Sequence, residues 1–160
     1  MLRIRIDVAA QRLDLIGPDG AVIRRYPVST AKAGVGELRG SLRTPRGAHV
    51  IRARIGAGQP PGAVFVGRRP TGEIYGEALA RAQPGRDWIL TRILWLSGTE
   101  RGRNRLGERD TMRRYIYIHG ALDDAAMGTP GSHGCIRMRN SDVIELFDLV
   151  RAGTPVDIAG

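Results

Sequence analysis

The strongest constraint on this chain is a two-residue rhythm interrupted by glycine and proline. Leu2, Ile4, Ile6 and Val8 alternate with Arg3, Arg5 and Asp7, and Leu13 and Leu15 alternate with Arg12 and Asp14. Strand side chains point to opposite faces in turn, so this pattern buries one face of a sheet and wets the other. Gly17-Pro18-Asp19-Gly20 is a turn signal before Ala21-Val22-Ile23, and the three segments read as an antiparallel meander. With 22 glycines and 9 prolines in 160 residues, the chain holds too many helix breakers for a helical bundle, and they follow no G-X-Y period. A hydrophobic fraction of 42% supplies a core and argues against disorder. Cys135 is the only cysteine, which excludes a disulfide scaffold.

Thr44-Pro45-Arg46-Gly47 leads into a strand-like run from His49 to Ile55, and 56–62 and 84–87 read as loops. The apolar run from Trp88 to Leu96 has no clear period and reads as a buried strand or a short helix. Arg101 to Asp110 reads as a charged surface loop. Tyr115 to His119 is β-branched and aromatic, a strand with Tyr115, Tyr117 and His119 on one face. A loop follows from Gly120 to Gly131. Asn140-Ser141 offers N-caps for a helix with an apolar stripe of Val143, Leu146, Phe147 and Val150. Gly153 is its expected C-cap, Thr154-Pro155 blocks continuation, and Val156 to Ile158 resumes alternation. No linker or repeat divides the chain, so 1–160 reads as one mainly β domain with one or two short helices.

The net charge of +9 is carried almost wholly by arginine, Lys32 being the only lysine. Such a balance favours polyanions, but no arginine run exceeds a pair, whereas a nucleic-acid arm clusters them. A dedicated nucleic-acid partner is therefore not expected. No segment approaches the roughly 20 apolar residues of a transmembrane helix. The N-terminus alternates at once and lacks the continuous apolar core of a signal peptide.

The chemistry-bearing stretch is Ser132-His133-Gly134-Cys135-Ile136-Arg137, with His119-Gly120 upstream. A free thiol, with a pKa of about 8.5, is mostly protonated at neutral pH and needs a base or a positive field to act as a nucleophile. Two of the three histidines lie near Cys135 in sequence, and Arg137 and Arg139 add charge expected to stabilise a thiolate. Gly134 permits a sharp turn, and the amides of Gly134 and Cys135 are available to a developing oxyanion. Three readings stay open on these residues alone: cysteine catalysis, zinc binding and a structural role. Against zinc, His133-x-Cys135 lacks a second cysteine, and Asp123 and Asp124 have no helical ligand spacing.

His119-Gly120 followed by Ser132-His133-Gly134-Cys135-Ile136-Arg137-Met138 resembles the signature of the L,D-transpeptidase catalytic domain, the YkuD-like family. Tyr117-Ile118-His119-Gly120, Thr44-Pro45-x-Gly47, Asn140-x-Asp142 and Gly153-Thr154-Pro155-Val156 extend the likeness over most of the chain. The resemblance implies a β-sandwich of that family, with neither cofactor nor metal. It implies Cys135 as nucleophile, His119 as proton acceptor and donor, and Gly120 as the carbonyl orienting His119. Ser132, His133 and Gly134 would shape the nucleophile turn, and Arg137 and Tyr117 would bind substrate. The implied donor and acceptor are peptidoglycan stem tetrapeptides, joined through a thioester acyl-enzyme, with carbapenems as covalent inhibitors. An L,D-carboxypeptidase or endopeptidase using the same thiol is the alternative within the enzyme class; a basic polyanion-binding module is the alternative outside it. The family implies a periplasmic or cell-envelope location, while the missing signal-peptide pattern leaves a cytoplasmic one open. His49, Trp88 and Trp95 are expected to be structural.

Overall fold

In the computed structural model, which describes residues 1–122 and 125–160, the N-terminal rhythm becomes an antiparallel meander. Its strands are β1 (Arg3–Asp7), β2 (Arg12–Ile16) and β3 (Val22–Pro27). There follow β4 (Gly47–Ile55), a hairpin of β5 (Ala63–Val66) and β6 (Arg69–Ile74), and helix α1 (Glu77–Ala82). The remainder comprises β7 (Ile89–Gly98), β8 (Tyr117–Gly120), β9 (Ile136–Met138), helix α2 (Asn140–Leu149) and β10 (Pro155–Ala159).

All these strands belong to one hydrogen-bonded sheet, ordered β3-β2-β1-β10-β4-β7 and continuing through β8 to β9. The β5–β6 hairpin attaches at the start of β7 through Val64 opposite Leu90. β1 and β10 run parallel, Ile4 facing Val156 and Ile6 facing Ile158, so the two outermost strands in sequence lie side by side within the sheet. The ends of this ribbon then meet. Ser29, just past β3, exchanges both backbone hydrogen bonds with Arg137 of β9, each 2.9 Å long. The expected sandwich is thus a single sheet closed on itself. Its interior holds Ile4, Ile6, Leu13, Leu15, Leu94, Leu96, Ile118 and Ile136, and α2 inserts Val143, Leu146 and Phe147 among them. No helix among the described residues is long and apolar enough to cross a membrane.

One ambiguity is resolved and three local expectations are corrected. Trp88 to Leu96 resolves as strand β7, buried on both faces between β4 and β8, which removes the alternation that marks a half-exposed strand. Tyr115 precedes β8 in a left-handed conformation (φ +56) and is exposed, so the strand expected from Tyr115 begins only at Tyr117. Asn140 is the first helical residue rather than the cap. Its side-chain oxygen accepts from Thr91 Oγ1 at 2.6 Å, and Arg139 takes the cap position. The helix ends at Val150, three residues before Gly153.

Phe147 is the largest side chain that α2 buries, and the Arg54 guanidinium lies 4.1 Å from its ring centroid. Phe147→Ala should lower unfolding free energy by about 3–5 kcal/mol, the usual cost of emptying a fully buried aromatic site. Urea titration followed by far-UV circular dichroism would measure it, and a loss below about 1 kcal/mol would show that α2 is not part of the core.

Candidate active site

Parallel pairing of β8 and β9 sets His119 directly opposite Arg137, and Cys135 immediately precedes β9. Segments distant in sequence thereby line one cavity of about 250 Å³. From the residues singled out in the sequence it gathers Cys135, His119, Arg137, Tyr117, Tyr115, Ser132 and His133; it adds Asp87 and Arg114, which sequence reasoning missed. A cavity of about 540 Å³ at Met1, Pro18 and Leu149 to Thr154 is larger but carries no histidine or cysteine.

The turn that presents Cys135 is held from both sides. Gly134 adopts φ +133, a conformation that L side chains rarely take, and a Cβ there would sit 3.2 Å from Ile116 Cδ1. Thr44 Oγ1 donates to Gly134 O at 3.0 Å and accepts from the Ala31 amide at 3.0 Å. The Thr44-Pro45-x-Gly47 motif therefore acts here as a brace for the turn. Ser132 Oγ donates to Cys135 O at 2.5 Å and accepts from the Gly134 amide at 3.2 Å. The Gly134 N–H, expected to be open to an oxyanion, is thus already engaged. His133 is exposed on the cavity rim.

Around the sulfur, the Tyr117 amide donates to Sγ at 3.3 Å, and the thiol donates to Tyr115 O at 3.4 Å. The Tyr117 hydroxyl accepts from Arg68 Nη1 at 3.0 Å, and the Arg68 guanidinium stacks over Trp95 and Tyr115. Buried His119 has Nδ1 2.5 Å from Gly120 O. A carbonyl only accepts, so Nδ1 carries the proton and Nε2 keeps its lone pair. A Cβ at Gly120 would run into Leu90 O at 2.6 Å, so no larger residue fits at that carbonyl. Arg137 Nη1 donates to Gly131 O at 3.2 Å, and Nη2 lies 3.8 Å from Asp87 Oδ1. His49 is buried outside the cavity, held by Gly47 O and Thr111 Oγ1 at 2.9 Å each. Trp88 and Trp95 pack edge-on against Tyr75 and Tyr117.

Electrostatics reverse one expectation. Cys135 is only partly exposed at the cavity wall, and burial pushes its thiol up to about 12. The Asp87 charge adds to that rise, while the Tyr117 amide and the Arg137 and Arg114 guanidiniums oppose it without overcoming it. Burial likewise pushes the His119 imidazole down to about 4, against the Gly120 hydrogen bond and the Asp87 charge. The resting cavity therefore holds a neutral thiol and a neutral imidazole. No set of three or more His, Cys, Asp or Glu among the described residues is arranged to hold a metal ion. Asp123 and Asp124 lie outside the described residues.

The family model of the L,D-transpeptidase catalytic domain, YkuD, matches residues 2–158. The YkuD protein of Bacillus subtilis is 48% identical over 46 residues, which are 29% of this chain and 28% of that protein. Among solved structures, the L,D-transpeptidase from Mycobacterium smegmatis superposes with a TM-score of 0.58 at 22% identity, over 99% of this chain and 58% of that one. L,D-transpeptidase 3 from Mycobacterium tuberculosis, in complex with a faropenem-derived adduct, gives 0.59 at 16% identity, over 99% and 60%. The chain thus spans less than two thirds of each of these relatives, and the structural likeness is one of fold.

Two outcomes follow from this geometry. Thr44→Val removes both hydrogen bonds of the brace and should cost about 1–3 kcal/mol by leaving a buried carbonyl and amide unpaired. Chemical denaturation would register the loss, and unchanged stability would remove Thr44 from the turn's support. The second outcome concerns pH. His119 titrates lower folded than unfolded, so between about 6.5 and about 4 the unfolded chain binds the extra proton and stability falls as pH falls. Cys135 titrates higher folded than unfolded, so its contribution is complete below the unfolded thiol value and is lost as pH rises toward about 12. Urea midpoints at pH 7 and pH 5 should differ less in His119→Gln than in the parent; an equal difference would mean that His119 is not buried as a neutral ring.

Proposed function

The chain belongs to the L,D-transpeptidase catalytic-domain family, and from that premise we propose that it forms a thioester between Cys135 and the stem peptide of peptidoglycan, at the cell envelope where that polymer lies. The observation carrying this reading is one cavity lined by both Cys135 and His119, the latter with Nδ1 held by Gly120 O so that Nε2 is left to accept a proton.

With both groups neutral at rest, proton removal accompanies attack instead of preceding it. The thiol turns from Tyr115 O, passes its proton to His119 Nε2, and sulfur bonds to the carbonyl that joins the diamino acid to D-alanine. Because Ser132 engages the Gly134 amide, the oxyanion falls to the Cys135 amide. Collapse breaks the C–N bond, and His119 gives its proton to the departing nitrogen. Gly120 O keeps the imidazole oriented throughout and stabilises it when it is transiently charged. Arg137 pairs with the carboxylate of the departing D-alanine. An amine then resolves the thioester to a cross-link, or water resolves it to a tripeptide.

Incubation with a carbapenem, followed by intact-protein mass spectrometry, should give one adduct per chain. Cys135→Ala should give none, and His119→Ala should acylate on the order of 10²- to 10⁴-fold more slowly, the range for loss of a positioned base. Folded protein that forms no adduct and does not turn over a disaccharide tetrapeptide would overturn the reading. Near-parental rates in His119→Ala would move the base elsewhere.

A further inference from the structure

Asp87 is the single acidic residue among the described residues lining the catalytic cavity, in a chain of net charge +9. It sits two residues before β7, and its carboxylate faces Arg137, the residue paired with His119 across β8 and β9. Their separation of 3.8 Å is too long for a hydrogen bond. The Asp87 side chain is 56% exposed and that of Arg137 24%. An ion pair this open to water contributes little by itself and is easily parted by a ligand. Among the described residues the cavity therefore presents one anion with the Arg137 cation a few ångströms from it, and Arg114 as a second cation on the same lining.

We propose that Asp87 and Arg137 form a subsite for an α-amino acid head, Asp87 taking the ammonium and Arg137 the carboxylate, and that Asp87 selects the amine that resolves the acyl-enzyme. In such a head the nitrogen and the carboxyl carbon are roughly 2.5 Å apart, from standard bond lengths and angle. That spacing lets one ligand satisfy both walls, whereas a simple amine or a simple carboxylate satisfies one. The subsite rests on the acyl-enzyme chemistry proposed above, and the reaction's own symmetry supports it. Acylation releases D-alanine, whose new amine stands beside its carboxylate. Resolution runs the same steps backwards. An acceptor ammonium drawn in by Asp87 loses one proton to water, and its neutral nitrogen attacks the thioester carbonyl. The C–N bond forms as C–S breaks, and the second nitrogen proton passes through His119 to the sulfur, restoring the thiol. Water, which has no charge for Asp87, competes without this help.

The test uses the intact protein, a disaccharide tetrapeptide donor, and deuterium-labelled D-alanine or D-alaninamide as acceptor, reading by mass spectrometry the ratio of label-bearing aminolysed product to hydrolysed tripeptide. The parent should favour D-alanine, and Arg137→Ala should collapse the preference between the two acceptors. Asp87→Asn should lower the ratio on the order of tenfold for both, the loss matching about 1.4 kcal/mol. An unchanged ratio overturns the proposal. A loss confined to D-alanine also overturns it, since Asp87 would then act only by positioning Arg137. Binding of D-alanine to Cys135→Ala, measured by titration calorimetry, gives a readout independent of turnover and should weaken at least tenfold when Asp87→Asn is added. Asp87-dependent binding without thioester formation would defeat the acyl-enzyme reading and leave the subsite standing. Thioester formation with no Asp87 dependence in either readout would do the reverse.

Discussion

Two backbone hydrogen bonds between Ser29 and Arg137 hold together what the rest of the molecule needs. They join the far ends of the sheet, and in doing so they lay the segment after β3 along the loop that carries Cys135. Thr30 O accepts from the Ser132 amide and Ser132 O from the Lys32 amide, each at 2.9 Å. Ala31 and Gly134 are then bridged by one hydroxyl, that of Thr44. Closure of the sheet and shaping of the Cys135 turn are the same set of contacts, so neither is achieved without the other. A loop that must hold a glycine at positive φ gains its rigidity from strands at both ends of the ribbon.

Enclosure has an electrostatic consequence that residue types alone do not convey. Arginines close to a cysteine in sequence favour a thiolate, and Arg137 and Arg114 do act in that direction. Burial outweighs them and keeps sulfur and imidazole uncharged. A neutral pair costs less to bury than an ion pair. It also makes the thiol a poor target for adventitious reagents until a substrate carbonyl is present to take up the developing charge. The Tyr117 amide works against this state by donating to the sulfur, and its hydroxyl is occupied by Arg68.

How much of this was legible in the sequence depends on whether a feature is local. The meander of β1 to β3, the apolar stripe of α2 and the alternation of β10 are visible because each repeats within a few residues. The spacing of His119-Gly120 and Ser132 to Arg137 is legible in the same way. β7 was ambiguous because both of its faces are buried, which erases the period. Asp87 and Arg114 went unnoticed because each reaches the cavity from a loop with no motif of its own. The direction of the thiol shift was missed for a related reason: proximity to charge can be read along a chain, but exclusion of water is a property of the folded volume.

The parallel pairing of β1 with β10 has a bearing on how the molecule comes into being. β10 lies between β1 and β4, so during synthesis a gap stays in the sheet until β10 itself leaves the ribosome. Up to that moment the meander and the remaining strands have no common interior, and contacts of such long sequence separation form slowly. The nascent chain therefore carries its one thiol in water, where it ionises and reacts like that of any peptide. Sequestration of Cys135 thus waits on β10, and a chain stalled short of Pro155 would be chemically more vulnerable at this cysteine than the folded protein.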